Sequence, residues 1–155
     1  MSGSPRTNIT RVLIVEDNVD LSDGLATLLR AAGHAVAVAH EAEAALVRAR
    51  LFRPDVVLAD IGLPGEMDGY ELAKTLRREP EIGECYLVAL TGYAYPKDVA
   101  KAREAGFDEH MAKPADIGAI LNVIKRAWSP RPTPRSMGFR ETPGGDRSRG
   151  SEPQE

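Results

Sequence analysis

Short runs of apolar residues, many of them β-branched, recur along the chain and are separated by longer amphipathic stretches. The clearest runs cover residues 12–15, 35–38, 56–59 and 86–90. They do not alternate between apolar and polar residues, and such runs are typical of strands that are covered on both faces. The pattern therefore predicts an α/β fold in which helices cover both faces of a parallel sheet.

The stretches between these runs carry helix start and stop signals. Asp20 or Ser22 is a candidate N-cap for a first helix that ends at Gly33, and Pro54 stops the second helix. Further helices are predicted over residues 41–52, 70–78, 96–105 and 115–128. Five β-α units joined by right-handed crossovers predict a five-stranded parallel sheet of the doubly wound type.

The composition changes towards the end of the 155-residue chain. Residues 129–155 contain five Pro, four Gly and four Ser, and their only large apolar residues are Met137 and Phe139. Such a segment buries too little surface to offset its ordering entropy. We predict a flexible start over residues 1–9, one domain over 10–128 and a disordered tail over 129–155. The alternative for the tail is a linker or partner-binding segment, because residues 130–135 favour an extended polyproline conformation.

Charge and composition exclude several classes of protein. Residues 1–128 carry 15 basic and 19 acidic residues, a poor balance for non-specific nucleic-acid binding. No run of 18 apolar residues predicts a membrane span, and the first residues lack the apolar core of a signal peptide, so we expect a cytoplasmic protein. The single cysteine, Cys85, rules out a disulfide framework and is expected to be a buried thiol.

Polar residues follow four of the five predicted strands. Glu16 and Asp17 follow the first strand, Asp60 the third, Thr91 the fourth and Lys113 the fifth. Ligands of open α/β sheets bind at the carboxyl ends of the strands, so these side chains are expected to form one compact polar site. Each residue alone would more often be a surface, turn or capping residue, but their joint placement favours a site.

The chemistry of this set points to a phosphoryl group and a metal. Three converging carboxylates repel one another, and Mg²⁺ relieves that repulsion because it prefers carboxylate and carbonyl oxygens. A lysine ammonium and a threonine hydroxyl both suit phosphoryl oxygens. The set therefore fits a site at which one carboxylate attacks a phosphoryl donor and forms an aspartyl-phosphate.

These residues lie in motifs that resemble those of the receiver domain of two-component response regulators. The resemblance covers residues 10–128 and implies the flavodoxin-like (βα)5 fold. The motifs are VLIVEDN at 12–18, DIGLP at 60–64, MDGY at 67–70, ALTG at 89–92 and KP at 113–114.

The resemblance implies a role for each matched site residue. Asp60 would be the phosphoacceptor, and Asp17 and Asp60 would bind Mg²⁺ directly. Glu16 would act mainly through water, and the backbone carbonyl of Gly62 would supply a further ligand.

The remaining roles concern the phosphoryl group and the switch. Lys113 would bind a phosphoryl oxygen, and its peptide bond to Pro114 would be cis. Thr91 would move towards the phosphoryl group after transfer.

The resemblance also implies partners. Family members receive the phosphoryl group from a partner histidine kinase or a histidine phosphotransfer protein. The expected output is a protein target or a phosphorelay, through the face built by the fourth helix, fifth strand and fifth helix. We expect a signalling domain that is a monomer or a weak dimer, with no DNA-binding module, no nucleic-acid or membrane partner, and no catalysis beyond its own phosphorylation and dephosphorylation.

Two departures from the family pattern stand out. The loop at residues 65–68 is one residue longer than the common pattern. His110 occupies the switch position that is commonly aromatic, and Tyr93 or Tyr95 is a candidate to supply the aromatic ring instead. We expect His110 to be a partly exposed structural residue, with a pH-sensitive switch as the alternative.

Three other classes fit the sequence less well. A phosphatase of the haloacid-dehalogenase type needs an acid two residues after its nucleophile, where this chain has Gly62. A flavin or dinucleotide module would need a glycine-rich first loop, and here that loop is acidic. A degenerate receiver that binds partners without phosphorylation is supported only by the longer loop and His110.

Overall fold

The computed structural model describes residues 10–92, 96–128 and 140–142. Within these ranges the chain forms alternating strands and helices. The elements are β1 Arg11–Val15, α1 Val19–Ala31, β2 Ala35–Ala39, α2 Ala42–Phe52, β3 Val56–Asp60, α3 Gly69–Arg78, β4 Tyr86–Thr91, α4 Pro96–Ala105, β5 Glu109–Ala112, α5 Ile117–Trp128 and β6 Arg140–Thr142.

All strands of the sheet run parallel, in the order β2-β1-β3-β4-β5-β6. The five predicted parallel strands and the five predicted helices are confirmed, and β6 is an additional strand. Each predicted helix matches an observed one to within two residues at most ends. β3 and β4 are buried along their whole length, as their continuous apolar runs predict.

The helices form two layers that bury separate cores on the two faces of the sheet. Helices α2, α3 and α4 pack on one face, and α1 and α5 pack on the other. Alternate residues of one strand belong to different cores, so that Leu13 faces the first layer and Ile14 the second. Both side chains are fully buried, and burial of such a side chain stabilises the fold by roughly 1.5–3 kcal/mol.

The predicted cap of α1 is wrong. Asn18, rather than Asp20 or Ser22, is the N-cap, because its side-chain oxygen accepts a hydrogen bond from the Leu21 N–H at 3.0 Å. Ser22 lies inside the helix, where its hydroxyl donates to the carbonyl of Val19. The helix therefore begins closer to β1 than predicted, and its amino end lies beside the loop that follows β1.

The prediction of a disordered tail is corrected at three residues. Arg140–Thr142 forms β6, which pairs in parallel with β5. Without it, β5 would be an edge strand whose outer N–H and C=O groups lack strand partners. The rest of the predicted tail, residues 129–139 and 143–155, and the predicted flexible start at 1–9 lie outside the described residues.

None of the helices in the described ranges has the length and apolar character needed to cross a bilayer.

Candidate functional site

The carboxyl ends of β1, β3, β4 and β5 meet at one edge of the sheet, which we call the site edge. Its side chains are Glu16, Asp17, Asp60, Thr91 and Lys113. Each of them ends a strand or lies within two residues of a strand end. The parallel register therefore delivers residues that are far apart in sequence to one place.

Asp60 is the last residue of β3 and is only 8% exposed. One carboxylate oxygen, Oδ1, accepts a hydrogen bond from the Gly62 N–H at 2.9 Å. The other oxygen, Oδ2, lies 3.1 Å from the ammonium nitrogen of Lys113. The carboxylate is thus held in one orientation by a backbone donor on one side and a cation on the other.

Lys113 links the acids of two strands. Its ammonium lies 2.8 Å from Oε1 of Glu16 and 3.1 Å from Oδ2 of Asp60. Burial by itself lowers the pKa of Lys113, but hydrogen bonds and charge attraction from Glu16 and Asp60 outweigh it, and the pKa is raised above its ordinary value. The lysine therefore stays charged at neutral pH.

The backbone of Lys113 ties β5 to β4. Its N–H donates to the carbonyl of Thr91 at 2.7 Å, and the Lys113–Pro114 peptide bond is cis. Thr91 is the buried last residue of β4. The threonine and the lysine therefore share one backbone contact at the site edge.

Carboxylate oxygens of Glu16, Asp17 and Asp60 all lie within 4.8 Å of one another. Glu16 and Asp60 are buried and Asp17 is exposed, so the cluster opens to solvent on one side. The ammonium of Lys113 contacts two of these three carboxylates, which leaves the cluster with more negative than positive charge. Hard oxygen donors and excess negative charge are what Mg²⁺ requires, so these residues fit a divalent cation.

The end of β2 supports the acidic loop, a role that the sequence did not suggest. The imidazole Nδ1 of His40 lies 2.9 Å from the carbonyl oxygen of Glu16. The Glu16 N–H donates to the carbonyl of Ala39, and Oε2 of Glu16 accepts from the Asn18 N–H at 3.0 Å. The available signal was position, because β2 is the parallel neighbour of β1 and His40 directly follows it.

Gly69, the first residue of α3, allows a close backbone approach to Asp60. A Cβ atom at position 69 would lie 2.5 Å from Cα of Ile61 and 2.6 Å from the carbonyl oxygen of Asp60. The Gly69 N–H donates to the carbonyl of Ile61 at 3.2 Å, and Asp68 caps the helix. Any larger residue must push α3 away from the phosphoacceptor candidate.

Residues 65–68, for which we predict one residue more than in the common family pattern, lie between these fixed points. Gly65 has a positive φ of 95°, a conformation that glycine adopts at little cost. Glu66 is exposed, whereas Met67 is half-buried against the core beneath α2 and α3.

The residues predicted to form the switch are His110, Tyr93 and Tyr95. His110 lies within β5 and is only 2% exposed, so the expectation of a partly exposed side chain is wrong. In β5, His110 is next to Met111, which belongs to the core beneath α1 and α5, so the side chain of His110 points to the face that α2, α3 and α4 cover. Tyr93 and Tyr95 lie outside the described residues. Cys85 is buried, as expected, and lies near the opposite ends of the strands.

Comparison with known proteins identifies the fold and the family model that the chain matches. The model of the response regulator receiver domain matches residues 12–125. The chain is 32% identical over 114 residues to the polar-differentiation response regulator DivK of Brucella anthropi, and the match covers 74% of this chain and 92% of DivK.

Solved structures show the same similarity. The signal receiver domain of a signal transduction histidine kinase from Syntrophus aciditrophicus is 30% identical, with a TM-score of 0.69, over 76% of this chain and 89% of that chain. The receiver domain of a sensor histidine kinase from Pseudomonas aeruginosa is 27% identical, with a TM-score of 0.71, over 78% of this chain and 99% of that chain. That structure has a magnesium ion coordinated in its active site cleft.

Proposed function

Because the chain belongs to the response regulator receiver family, we propose that it is a switch in which Asp60 accepts a phosphoryl group from a phosphohistidine. The observation that carries this proposal is the orientation of Asp60. Its carboxylate is fixed between the Gly62 N–H and the Lys113 ammonium, next to two further carboxylates.

In the proposed transfer, a carboxylate oxygen of Asp60 attacks the phosphorus atom of the donor. A new P–O bond forms and the P–N bond to the donor histidine breaks, and the leaving imidazole takes up a proton from water. The ammonium of Lys113 then moves from the free carboxylate to a phosphoryl oxygen, where it offsets the negative charge. The lysine is already within 3.1 Å of Asp60 and needs to move little.

The acidic cluster would hold the metal that this reaction uses. Glu16, Asp17, Asp60 and the backbone carbonyl of Gly62 are the residues that would bind Mg²⁺, with Glu16 acting mainly through water. When bound, Mg²⁺ offsets charge on the transferring phosphoryl group. The excess of carboxylates over ammonium groups supports this assignment.

Thr91 would report the phosphoryl group to the rest of the domain. Its hydroxyl is suited to donate a hydrogen bond to a phosphoryl oxygen, and its carbonyl already accepts the Lys113 N–H. A movement of Thr91 would therefore displace the start of the loop to α4 and the end of β5. The receiving surface is the face formed by α4, β5 and α5, which would bind a downstream protein.

The proposed partners are a histidine kinase or a histidine phosphotransfer protein upstream, and a protein target downstream. We propose a cytoplasmic monomer or weak dimer that binds neither nucleic acid nor membrane. Its only catalysis would be its own phosphorylation and the hydrolysis of the aspartyl-phosphate. The acidic balance of residues 1–128 supports a protein partner over a nucleic acid.

Phosphate incorporation from acetyl phosphate tests the proposal, with intact-protein mass spectrometry as the readout. The wild-type chain should be phosphorylated in Mg²⁺ and not after chelation, and Asp60→Asn should abolish incorporation. Asp55→Asn is the matched control, because Asp55 is an exposed acid directly before the opposite end of β3. Incorporation into Asp60→Asn at the wild-type rate would overturn the assignment.

A phosphotransfer screen against the histidine kinases and phosphotransfer proteins of the source organism then identifies the donor. Lys113→Ala should separate phosphorylation from partner binding, since the phosphoryl group would lose its contact with β5.

A further inference from the structure

The outer edge of β5 is covered by a segment from beyond the receiver domain. β6 pairs with β5 in parallel, and the register places Arg140 opposite Glu109, Glu141 opposite His110 and Thr142 opposite Met111. A strand at the end of a sheet otherwise presents backbone donors and acceptors that pair readily with another extended chain. The edge of β5 is therefore a site for an extended segment, and residues 140–142 occupy it.

The topology of this connection differs from that of every other crossover in the described sheet. Helices α1 and α5 pack on the same face, but β1 leads to β2 in one direction along the sheet and β5 leads to β6 in the other. The connections through α2, α3 and α4 reverse both the face and the direction relative to α1. Four crossovers thus share one hand, and the crossover through α5 has the opposite hand.

This difference bears on how firmly β6 is held. Parallel crossovers are right-handed in about 98% of cases, because the twist of the strands favours that hand. If the four matching crossovers have the favoured hand, the connection to β6 has the disfavoured one. The hand of the connection therefore opposes the pairing of β6 rather than assisting it.

The sequence limits the strand as well. β6 has three residues, and Pro143 follows it directly. Proline has no N–H to donate and cannot extend the ladder. A short strand that pairs on one side only should open far more readily than the central strands.

We propose that residues 140–142 are a displaceable cover of the β5 edge. The resident occupant is this segment of the same chain, held at high local concentration by its connection through residues 129–139.

Amide hydrogen exchange of the full-length, unphosphorylated chain, followed residue by residue by NMR, tests the cover. The amides of residues 140–142 that point towards β5 should exchange about tenfold more slowly than in an unfolded chain, and far faster than those of β4. Two results would overturn the proposal. Exchange at the unfolded rate would mean that the edge is not covered, and exchange as slow as in β4 would mean that β6 is not displaceable.

Two proline variants locate the contact. In a parallel ladder alternate residues donate towards the neighbouring strand, so either Glu141→Pro or the double variant Arg140→Pro/Thr142→Pro removes the donors aimed at β5. The variant that removes these donors should lose the protection of the outer β5 amides. Amide exchange in β2, at the far end of the sheet, should be unchanged in both variants. If neither variant alters exchange in β5, the cover is absent. No outcome depends on phosphorylation, so this test fails independently of the proposed function.

Discussion

Acidic side chains at the two ends of the central strands differ in how far neighbouring cations neutralise their charge. At the site edge, three carboxylates cluster together, and the ammonium of Lys113 contacts two of them, those of Glu16 and Asp60. At the amino ends of β4 and β5, which we call the closed edge, Asp108 and Glu109 each have a guanidinium of their own.

At the closed edge, Glu109 is fully buried and is the centre of one paired group. Its two carboxylate oxygens each lie 2.7 Å from the guanidinium of Arg126, and the hydroxyl of Tyr86 donates to it at 3.0 Å. Burial, followed by the charge of Glu109, raises the pKa of Tyr86 to about 12. Tyr86 therefore remains a neutral donor across the physiological range.

Asp108 forms the second paired group with Arg77. The guanidinium contacts Oδ2 of Asp108 at 2.7 Å and donates to the carbonyls of Gly83, Cys85 and Gly106. These bonds join the end of α3 to the start of β4 and to the turn before β5. Acids with a structural role are thus neutralised by a neighbouring guanidinium, whereas the acids of the site retain negative charge that can bind a metal ion.

The largest expected effect comes from removing the cation of the closed edge. Arg77→Met should lower the free energy of unfolding by about 3–5 kcal/mol, because it leaves Asp108 charged and buried without its partner. Urea denaturation measures this change. Arg50→Met is the control, since the pair of Arg50 with Glu79 is more exposed and should matter little. Equal losses in the two variants would contradict the distinction.

Neutralising one acid at each edge should change stability in opposite directions. Glu109→Gln should destabilise the fold by about 2 kcal/mol, because Arg126 loses its counter-charge. In chelated buffer, Asp60→Asn should stabilise it by about 1 kcal/mol, because it relieves repulsion at the site edge. Thermal and urea unfolding of both variants measure these changes. A loss of stability in Asp60→Asn would contradict the expected repulsion between the carboxylates of the site edge.

A glycine pair separates shape from charge at the site edge. Gly69→Ala should cost about 1–3 kcal/mol, because its Cβ would overlap the backbone of Asp60 and Ile61. It should also slow phosphorylation by acetyl phosphate. Gly24→Ala is the matched control, since a Cβ there meets nothing within 4 Å and alanine favours the helix. The idea fails if Gly69→Ala is as stable and as rapidly phosphorylated as Gly24→Ala.

The smallest expected effect is a pH dependence at the amino ends of β1 and β2. His34 accepts a hydrogen bond from the Thr10 N–H at 3.1 Å through Nδ1, and burial lowers its pKa below the ordinary value of 6.5. The neutral form is thus favoured in the folded state. Its contribution to stability is complete above pH 6.5 and declines as the pH falls towards the lower folded pKa.

Comparing His34→Asn with the wild type isolates this contribution. Asparagine offers an acceptor at a similar position but does not titrate. The wild-type urea midpoint should fall more steeply than that of His34→Asn between pH 7.5 and 5.5, and parallel curves would exclude a role for His34.

The sequence predicted the strands and the site edge because their determinants are local. β3 is a continuous apolar run, and Asp60 ends it, so one short segment specifies both the strand and its functional residue. The same holds for Glu16, which follows the apolar run of β1. Parallel pairing then brings these ends together without any further signal.

Other features depend on partners that a linear pattern does not show. The contacts of Arg77 reach 31 residues along the chain to Asp108, and an arginine at the end of a helix is usually a surface residue. β6 lies in a segment whose Pro and Gly content predicts disorder, and only the open edge of β5 explains it.

The loop between β3 and α3 is fastened at both ends, by the Gly62 N–H on Asp60 and by the Gly69 N–H on Ile61. A change of length or side chain between these two points, where Glu66 is exposed, would therefore alter the surface offered to a partner without moving the carboxylate of Asp60. The surface for recognition and the reacting group are thus mechanically separate, although both lie in one short segment of the chain.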